Sequence, residues 1–197
     1  MSASTIRHLR TAATALAIAV AGVAMVGCTT TRPDDKASSM TSRQSIDAET
    51  TAALSKLYNS VPGSRQLVSQ AKGVLVFPSV IGASLGVGAE YGRGSLRTGG
   101  TNAGYYSTTA GSIGFQAGAQ SKAVVYLFMT QESLDKFRNS KGWTVGADAT
   151  VALANIGANG SVDSQTIRQP IVGFVMTNVG LEAGVSLSGS KISSIQP

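Results

Sequence analysis

Val74-Leu75-Val76-Phe77-Pro78 is followed, after a four-residue gap, by Ala83-Ser84-Leu85-Gly86-Val87-Gly88-Ala89-Glu90-Tyr91. At Val74 the pattern changes from helical spacing to strand chemistry. A run of four apolar residues closed by proline predicts a short buried strand. The second stretch alternates small and large residues around Gly86, Gly88 and Gly92. Glycine inside a strand marks a bulge, a bend or a close backbone approach. Downstream, residues 105–109, 112–120, 124–129, 144–154, 171–177 and 183–188 also read as strands. Turn signals separate some of them, at Thr98-Gly99-Gly100, Asn159-Gly160 and Asn178-Val179-Gly180.

Upstream of Val74, Ile46, Thr50, Ala53, Leu54, Leu57 and Tyr58 fall at helical spacing over residues 45–59 and predict one apolar stripe. Pro62, Leu67, Val68 and Ala71 predict a second short helix ending at Lys72-Gly73. One late helix interrupts the strands. Thr130 caps it, Glu132 sits in its first turn, Lys136 and Arg138 near its last, and Gly142 lies beyond it. Leu134 and Phe137 are its expected buried face. Many short strands rich in glycine predict an α+β domain, mainly β: a curved or barrel-like antiparallel sheet, with two N-terminal helices packed on it and one short late helix.

The 197 residues are 43% hydrophobic and only 13% charged, with 23 glycines. That composition suits one well-buried domain rather than a disordered chain. Arg7 and Arg10 precede an apolar stretch from Ala12 to Val26 that is too short for a spanning helix of roughly 18 residues. Gly27 then stands directly before Cys28, the chain's only cysteine. This has the shape of an export signal ending in a lipobox, with cleavage before Cys28 and acyl chains, palmitate among them, on that residue. Met25 stands where Leu is usual, and the alternative is a plain export signal with an incidental cysteine. The expected organisation is a lipoprotein signal over residues 1–27, a flexible polar tether over 28–44 and a domain over 45–197.

Cleavage removes His8, the sole histidine. Intrachain disulfides, Cys/His zinc sites, Ser-His-Asp triads and Cys-His dyads are then excluded by counting. The formal charge of +6 falls to +4, with 14 basic against 10 acidic side chains once Arg7 and Arg10 are gone. With no basic run, this excess fits an anionic lipid surface better than nucleic acid, which is not expected as a partner.

Four blocks are similar to the SYLF-domain family: Ala71-Lys72-Gly73-Val74-Leu75-Val76-Phe77-Pro78, the stretch from Gly111 to Gln120, Ser140-Lys141-Gly142-Trp143-Thr144-Val145-Gly146-Ala147-Asp148, and the stretch from Gly180 to Ile192. With Leu57-Tyr58 and Pro62 upstream, they cover nearly all of residues 45–197. The resemblance implies a lipid-binding module. Eukaryotic members bind phosphoinositides and in some cases actin filaments through a basic amphipathic N-terminal helix, whereas bacterial members are mostly exported lipoproteins. Here the corresponding helix carries Asp47 and Glu49 beside Arg43 and Lys56 and is close to neutral. Membrane or lipid binding is carried over, and the headgroup is not.

Two basic groups are candidate lipid-headgroup contacts. Lys72, Arg93 and Arg97, with Arg65 upstream, form one; Lys136, Arg138 and Lys141 form the other. Each such residue near an anionic surface contributes about 1 kcal/mol, and ordinary solvated charge is the competing reading. Glu90, Asp148, Asp163 and Glu182 are the carboxylates of the sheet region, and no spacing brings them together for acid-base hydrolysis. The run from Gly86 to Gly92 resembles a nucleotide-binding loop only superficially, since strand-like residues continue on both sides. Trp143 and Tyr105-Tyr106 are amphipathic rings suited to a membrane boundary, with core as the favoured place for Trp143. The expectation is therefore a non-enzymatic lipoprotein without cofactor, held by acylated Cys28 at the outer membrane and facing the periplasm, with a phospholipid ligand. The alternative is a structural or protein-interaction module of the envelope, with an envelope protein as partner. A transmembrane β-barrel is a third reading, weakened because Ser194-Ile195-Gln196-Pro197 lacks a terminal aromatic.

Overall fold

Val74 to Phe77 form a buried strand, but Pro78 does not end it. In the computed structural model, which describes residues 35–154, 162, 164–182 and 185–197, strand β1 runs unbroken over Gly73–Thr98. Its partner β2 runs over Thr101–Phe128. The two pair antiparallel from Gly73↔Phe128 to Thr98↔Thr101, around a two-residue turn in which Gly99 and Gly100 have φ of 58° and 83°. Five expected strands are thus two long ones. The irregularities read from sequence as strand ends are bulges: the register shifts between Phe77 and Val80, Ser84 and Gly86, and Leu96 and Arg97. Pro78 lies inside the first shift, where its missing N–H breaks no ladder bond.

A straight 26-residue strand would extend about 85 Å. β1 instead folds back along itself. A Cβ built on Gly94 would meet the Val76 carbonyl oxygen at 2.0 Å, one on Gly92 the Ser79 carbonyl oxygen at 2.9 Å, and one on Gly82 the Glu90 side chain at 3.2 Å. The bend is centred near Gly86, where one residue of β1 (Leu85) stands opposite three of β2 (115–117). Glu90 and Lys122 pair at 2.9 Å across the fold, both largely shielded from solvent. The ribbon becomes a curled half-barrel.

The outer edge of β2 pairs β7 (Lys191–Ile195) over Tyr105–Thr109 and β5 (Ile171–Thr177) over Ala123–Phe128, both antiparallel. β3 (Trp143–Thr144) extends β7, β6 (Gly180–Leu181) hairpins onto β5, and β4 (Ala152–Leu153) joins β5 as a parallel pair. The strand expected over 144–154 breaks because Asp148 Oδ2 accepts from the Thr144 amide at 2.6 Å and Gly146 takes φ 89°, which turns the chain. Residues 185–188 are not strand either: they lead into a turn at Gly189, and Leu187 buries in the core. The Asn178-Val179 turn is found where expected, between β5 and β6.

Helix α1 (Asp35–Ser60) buries Ile46, Thr50, Ala53, Leu54 and Leu57, the stripe expected from spacing. It begins within the stretch expected to be a flexible tether. Apolar spacing could not show this, because polar contacts hold its first turns: Ser39 Oγ and Arg43 Nε both donate to the Pro197 carbonyl oxygen. α2 (Ser64–Gln70) follows a left-handed Gly63. Both helices pack on one sheet face, where Leu57, Val61 and Leu67 meet Val76, Val125 and Phe174. α3 (Gln131–Asn139) packs on the other, where Leu134 and Phe137 meet Tyr126, Phe128 and Trp143. Burying each such side chain stabilises the fold by about 1.5–3 kcal/mol. A short α4 (Ser164–Ile167) had no sequence signal. The signal over 1–27, His8, Cys28, the first residues of the tether, Asn159-Gly160 and Asp163 lie outside the described residues.

Candidate functional site

The two basic groups lie on opposite faces of the sheet. Lys136 and Arg138 are exposed on α3, and Lys141 is exposed just after it. Lys136 pairs with Glu132 at 2.8 Å, one turn back, and holds that carboxyl below the usual range. Of the three, only Lys136 lines the neighbouring hollow of about 440 Å³, which also presents Glu132 and Asp148, so it is not a cationic site.

The other group gathers where α1 and α2 meet the β1–β2 turn. There a hollow of about 390 Å³ has an apolar lining of Leu54, Val68, Ala71 and Val74, with Arg65, Arg97 and the Gly99-Gly100 turn around it. The Arg65 guanidinium lies 4.3 Å from the centre of the Tyr58 ring, a cation–π contact that fixes its direction. Arg97 is half-buried; one guanidinium nitrogen donates to the Asp47 carbonyl oxygen at 3.0 Å and to Thr51 Oγ1 at 2.8 Å. Asp47 is in turn held by its carboxylate, which accepts from Asn102 Nδ2 at 2.7 Å and from the Tyr105 hydroxyl at 2.9 Å. Burial, and then the Asp47 carboxylate, push the Tyr105 phenol up. α1 is thereby latched to the hairpin turn by polar contacts, and the cations of the hollow are preoriented.

Of the expected headgroup contacts, only Arg97 lines this hollow. Lys72 is exposed directly after the lining residue Ala71. Arg93 is exposed four residues back along β1 and donates to Ser42 Oγ at 3.0 Å. Arg65, named with this group from sequence, lines the hollow too; its pairing with Tyr58 crosses the α1–α2 turn and follows no helical period, so spacing gave no signal for that contact. A third hollow, of about 340 Å³, contains Lys56 and Lys122, but both ammonium groups are engaged, with the Thr177 carbonyl oxygen at 2.8 Å and with Glu90.

The remaining candidates have structural partners. Trp143 is 2% exposed, in edge contact with Phe137 and Tyr126. Tyr106 packs against Phe137, and burial raises its phenol. Glu90 belongs to the ion pair of the fold, Asp148 to a backbone turn, and Glu182 is exposed. Gly86, Gly88 and Gly92 lie inside β1, with strand on both sides. No described helix is long and apolar enough to cross a membrane.

Among curated proteins, no sequence matches this chain. Residues 109–196 match the family described as Ysc84, Las17-binding protein actin regulator. The matched stretch begins within β2 and takes in α3, β5 and β7, the sheet against which both basic groups are arranged. This match, over the C-terminal part of the chain, supports the likeness to the SYLF-domain family.

Proposed function

We propose that the domain is a non-catalytic lipid-binding module. In this reading the hollow between α1, α2 and the β1–β2 turn takes the anionic head of a phospholipid on Arg65 and Arg97, with the first methylenes against Leu54, Val68 and Val74. The observation that carries it is two oriented guanidinium groups beside an apolar lining, in a hollow within the range of small-ligand sites, about 300–1,000 Å³. Arginine suits the role because its planar fork matches phosphate oxygens. The likeness to the SYLF-domain family is consistent with a lipid-binding, non-enzymatic module. The anchor belongs to the same proposal: an acylated Cys28 would hold the protein at the outer membrane on its periplasmic side. Dual acylation suffices for stable attachment, so the domain's own lipid site would serve recognition rather than adhesion.

The test uses residues 33–197, which form one compact unit, with vesicles of phosphatidylglycerol or phosphatidylcholine. Flotation should favour the anionic vesicles, and Arg65→Gln with Arg97→Gln should weaken it by about 30-fold if each cation contributes about 1 kcal/mol. Lys136→Gln with Arg138→Gln should leave it unchanged. Absence of binding to any bacterial phospholipid, together with recovery of a stoichiometric envelope protein, would replace this reading with a protein-interaction module.

A further inference from the structure

The curled ribbon carries its polarity the wrong way round for a surface that faces only water. Along the bent part of β1, Ile81, Ala83, Val87, Ala89 and Tyr91 all point outward and are exposed, Ile81 by 59%, Val87 by 77% and Tyr91 by 51%. The alternate positions Gly82, Gly88, Glu90 and Gly92 turn toward the inside of the curl. The ion pair of Glu90 with Lys122 lies within it, and the outward row is apolar until Arg93. In an ordinary antiparallel sheet the apolar positions face in and the polar ones face out. Apolar-out with polar-in is the alternation of strands whose outer face meets lipid.

Charge marks the limits of this surface. Residues 81–89 and 110–121 contain no Asp, Glu, Lys or Arg. The register places Val87 opposite Ile113, with Leu85 and Phe115 at the bend itself. Exposed ribbon edges are normally protected with charged residues, and here those devices are missing over both limbs. Beyond the uncharged part come cations: Arg93 on the same outward row, then Arg97. An uncharged apolar tip backed by arginines complements a bilayer, whose acyl boundary is flanked by anionic headgroups.

The geometry points to the bend of the β1–β2 ribbon as a membrane-penetrating tip, which enters the boundary between headgroups and acyl chains through Ile81, Val87 and Tyr91. It does not cross the bilayer, since open ladder edges are not tolerated in the hydrocarbon. This inference rests on the reading of the domain as a membrane-binding module but uses a different surface from the arginine hollow. Its contribution is hydrophobic and persists at high salt, whereas that of Arg65 and Arg97 is screened.

The test places an indole at the tip of the full chain, as Val87→Trp and separately as Ile81→Trp. The probe is a vesicle of phosphatidylethanolamine and phosphatidylglycerol, with bromine near the headgroup end of the acyl chains or near their ends. Native Trp143 is buried and supplies a constant background. The new indole should shift to the blue on vesicle addition in 0.5 M as in 0.05 M salt, and shallow bromine should quench it more than deep bromine. Ile81→Asn with Val87→Asn should lower the affinity of residues 33–197 about tenfold. Co-flotation of that unit without any spectral response at positions 81 and 87 overturns the inference and leaves the arginine site standing. Absence of co-flotation removes both. A blue shift that grows with protein concentration in the absence of vesicles assigns the surface to a second copy of the chain, and also overturns it.

Discussion

Gly94→Ala is the sharpest test of the folded-back ribbon. The Cβ it adds would lie 2.0 Å from the Val76 carbonyl oxygen and 2.8 Å from Phe77 Cδ1. Real Cβ atoms do not come closer than 3.0 Å, so the two limbs of β1 must part by about 1 Å. The obstacle is backbone, and no rotamer change relieves it. Overpacking a core typically costs about 1–3 kcal/mol. Here the displacement also loosens Leu96 and Phe77, both fully buried beside the crossing, so a loss of about 3 kcal/mol or more is expected. The control is Gly111→Ala, in the same ribbon, where nothing lies within 4 Å and φ is ordinary. It should be neutral or stabilise by up to about 1 kcal/mol.

Urea unfolding of residues 33–197, followed by the fluorescence of buried Trp143, reads both. With a slope of about 2 kcal/mol/M, Gly94→Ala should lower the midpoint by about 1.5 M, and Gly111→Ala should not lower it. Adding Phe77→Leu to Gly94→Ala should give no rescue, because the nearest atom remains the Val76 carbonyl. A Gly94→Ala midpoint within about 0.3 M of the parent, at unchanged slope, would refute the close crossing and with it the curled arrangement of β1.

Two further outcomes follow from other parts of the fold. Thr130 Oγ1 accepts from the Ser133 amide at 3.2 Å at the start of α3; Thr130→Ala should cost about 1 kcal/mol in the same titration, and Thr130→Asp should restore it. Burial pushes the Tyr126 phenol well above its ordinary value of 10.0, so the fold favours the neutral form. Stability should be flat with respect to this group below pH 10, then fall by about 1.4 kcal/mol per pH unit as the unfolded phenol ionises and the folded one does not, until the raised folded value is passed. Tyr126→Phe should remove that part of the alkaline slope, at a fixed cost of about 1 kcal/mol for the lost bond with Ser190; an unchanged alkaline slope would assign the fall to other groups.

Sequence periodicity was most informative where one chemical face meets one core. The stripe from Ile46 to Leu57, the strand over 171–177 and the capped helix at Thr130 all have that form, and each is found as read. It failed at the ribbon for a physical reason. Glycine within a run, and Pro78 after Phe77, signal an interruption of side-chain pattern, while strand continuity is carried by backbone hydrogen bonds that no side chain reports. A bulge and a strand end therefore look alike in sequence. The start of α1 was missed for the complementary reason: its contacts to Pro197 are 154 and 158 residues distant in sequence and polar. In the site, Arg97 was legible as a cation beside a glycine turn. Its partnership with Arg65 was not, because it depends on how α2 folds back against Tyr58.

The division of the sheet into two covered faces bears on how the domain can approach a membrane. α1 and α2 occupy the face that carries the arginine hollow, and α3, with Lys136 and Arg138 on it and Lys141 just after it, occupies the other. A flat bilayer cannot meet both groups at once. The α3 side has less to offer it: Lys136 is paired with Glu132, and the adjoining hollow presents two carboxylates. On the α1 side, Arg93 ends the apolar row of the ribbon and donates to Ser42 of α1, and four residues on, Arg97 enters the hollow. The uncharged row, the intermediate cation and the guanidinium pair thus follow one another along a single limb of β1. That is the order in which acyl boundary, headgroup layer and phosphate-binding site would be met by a domain that docks through this limb.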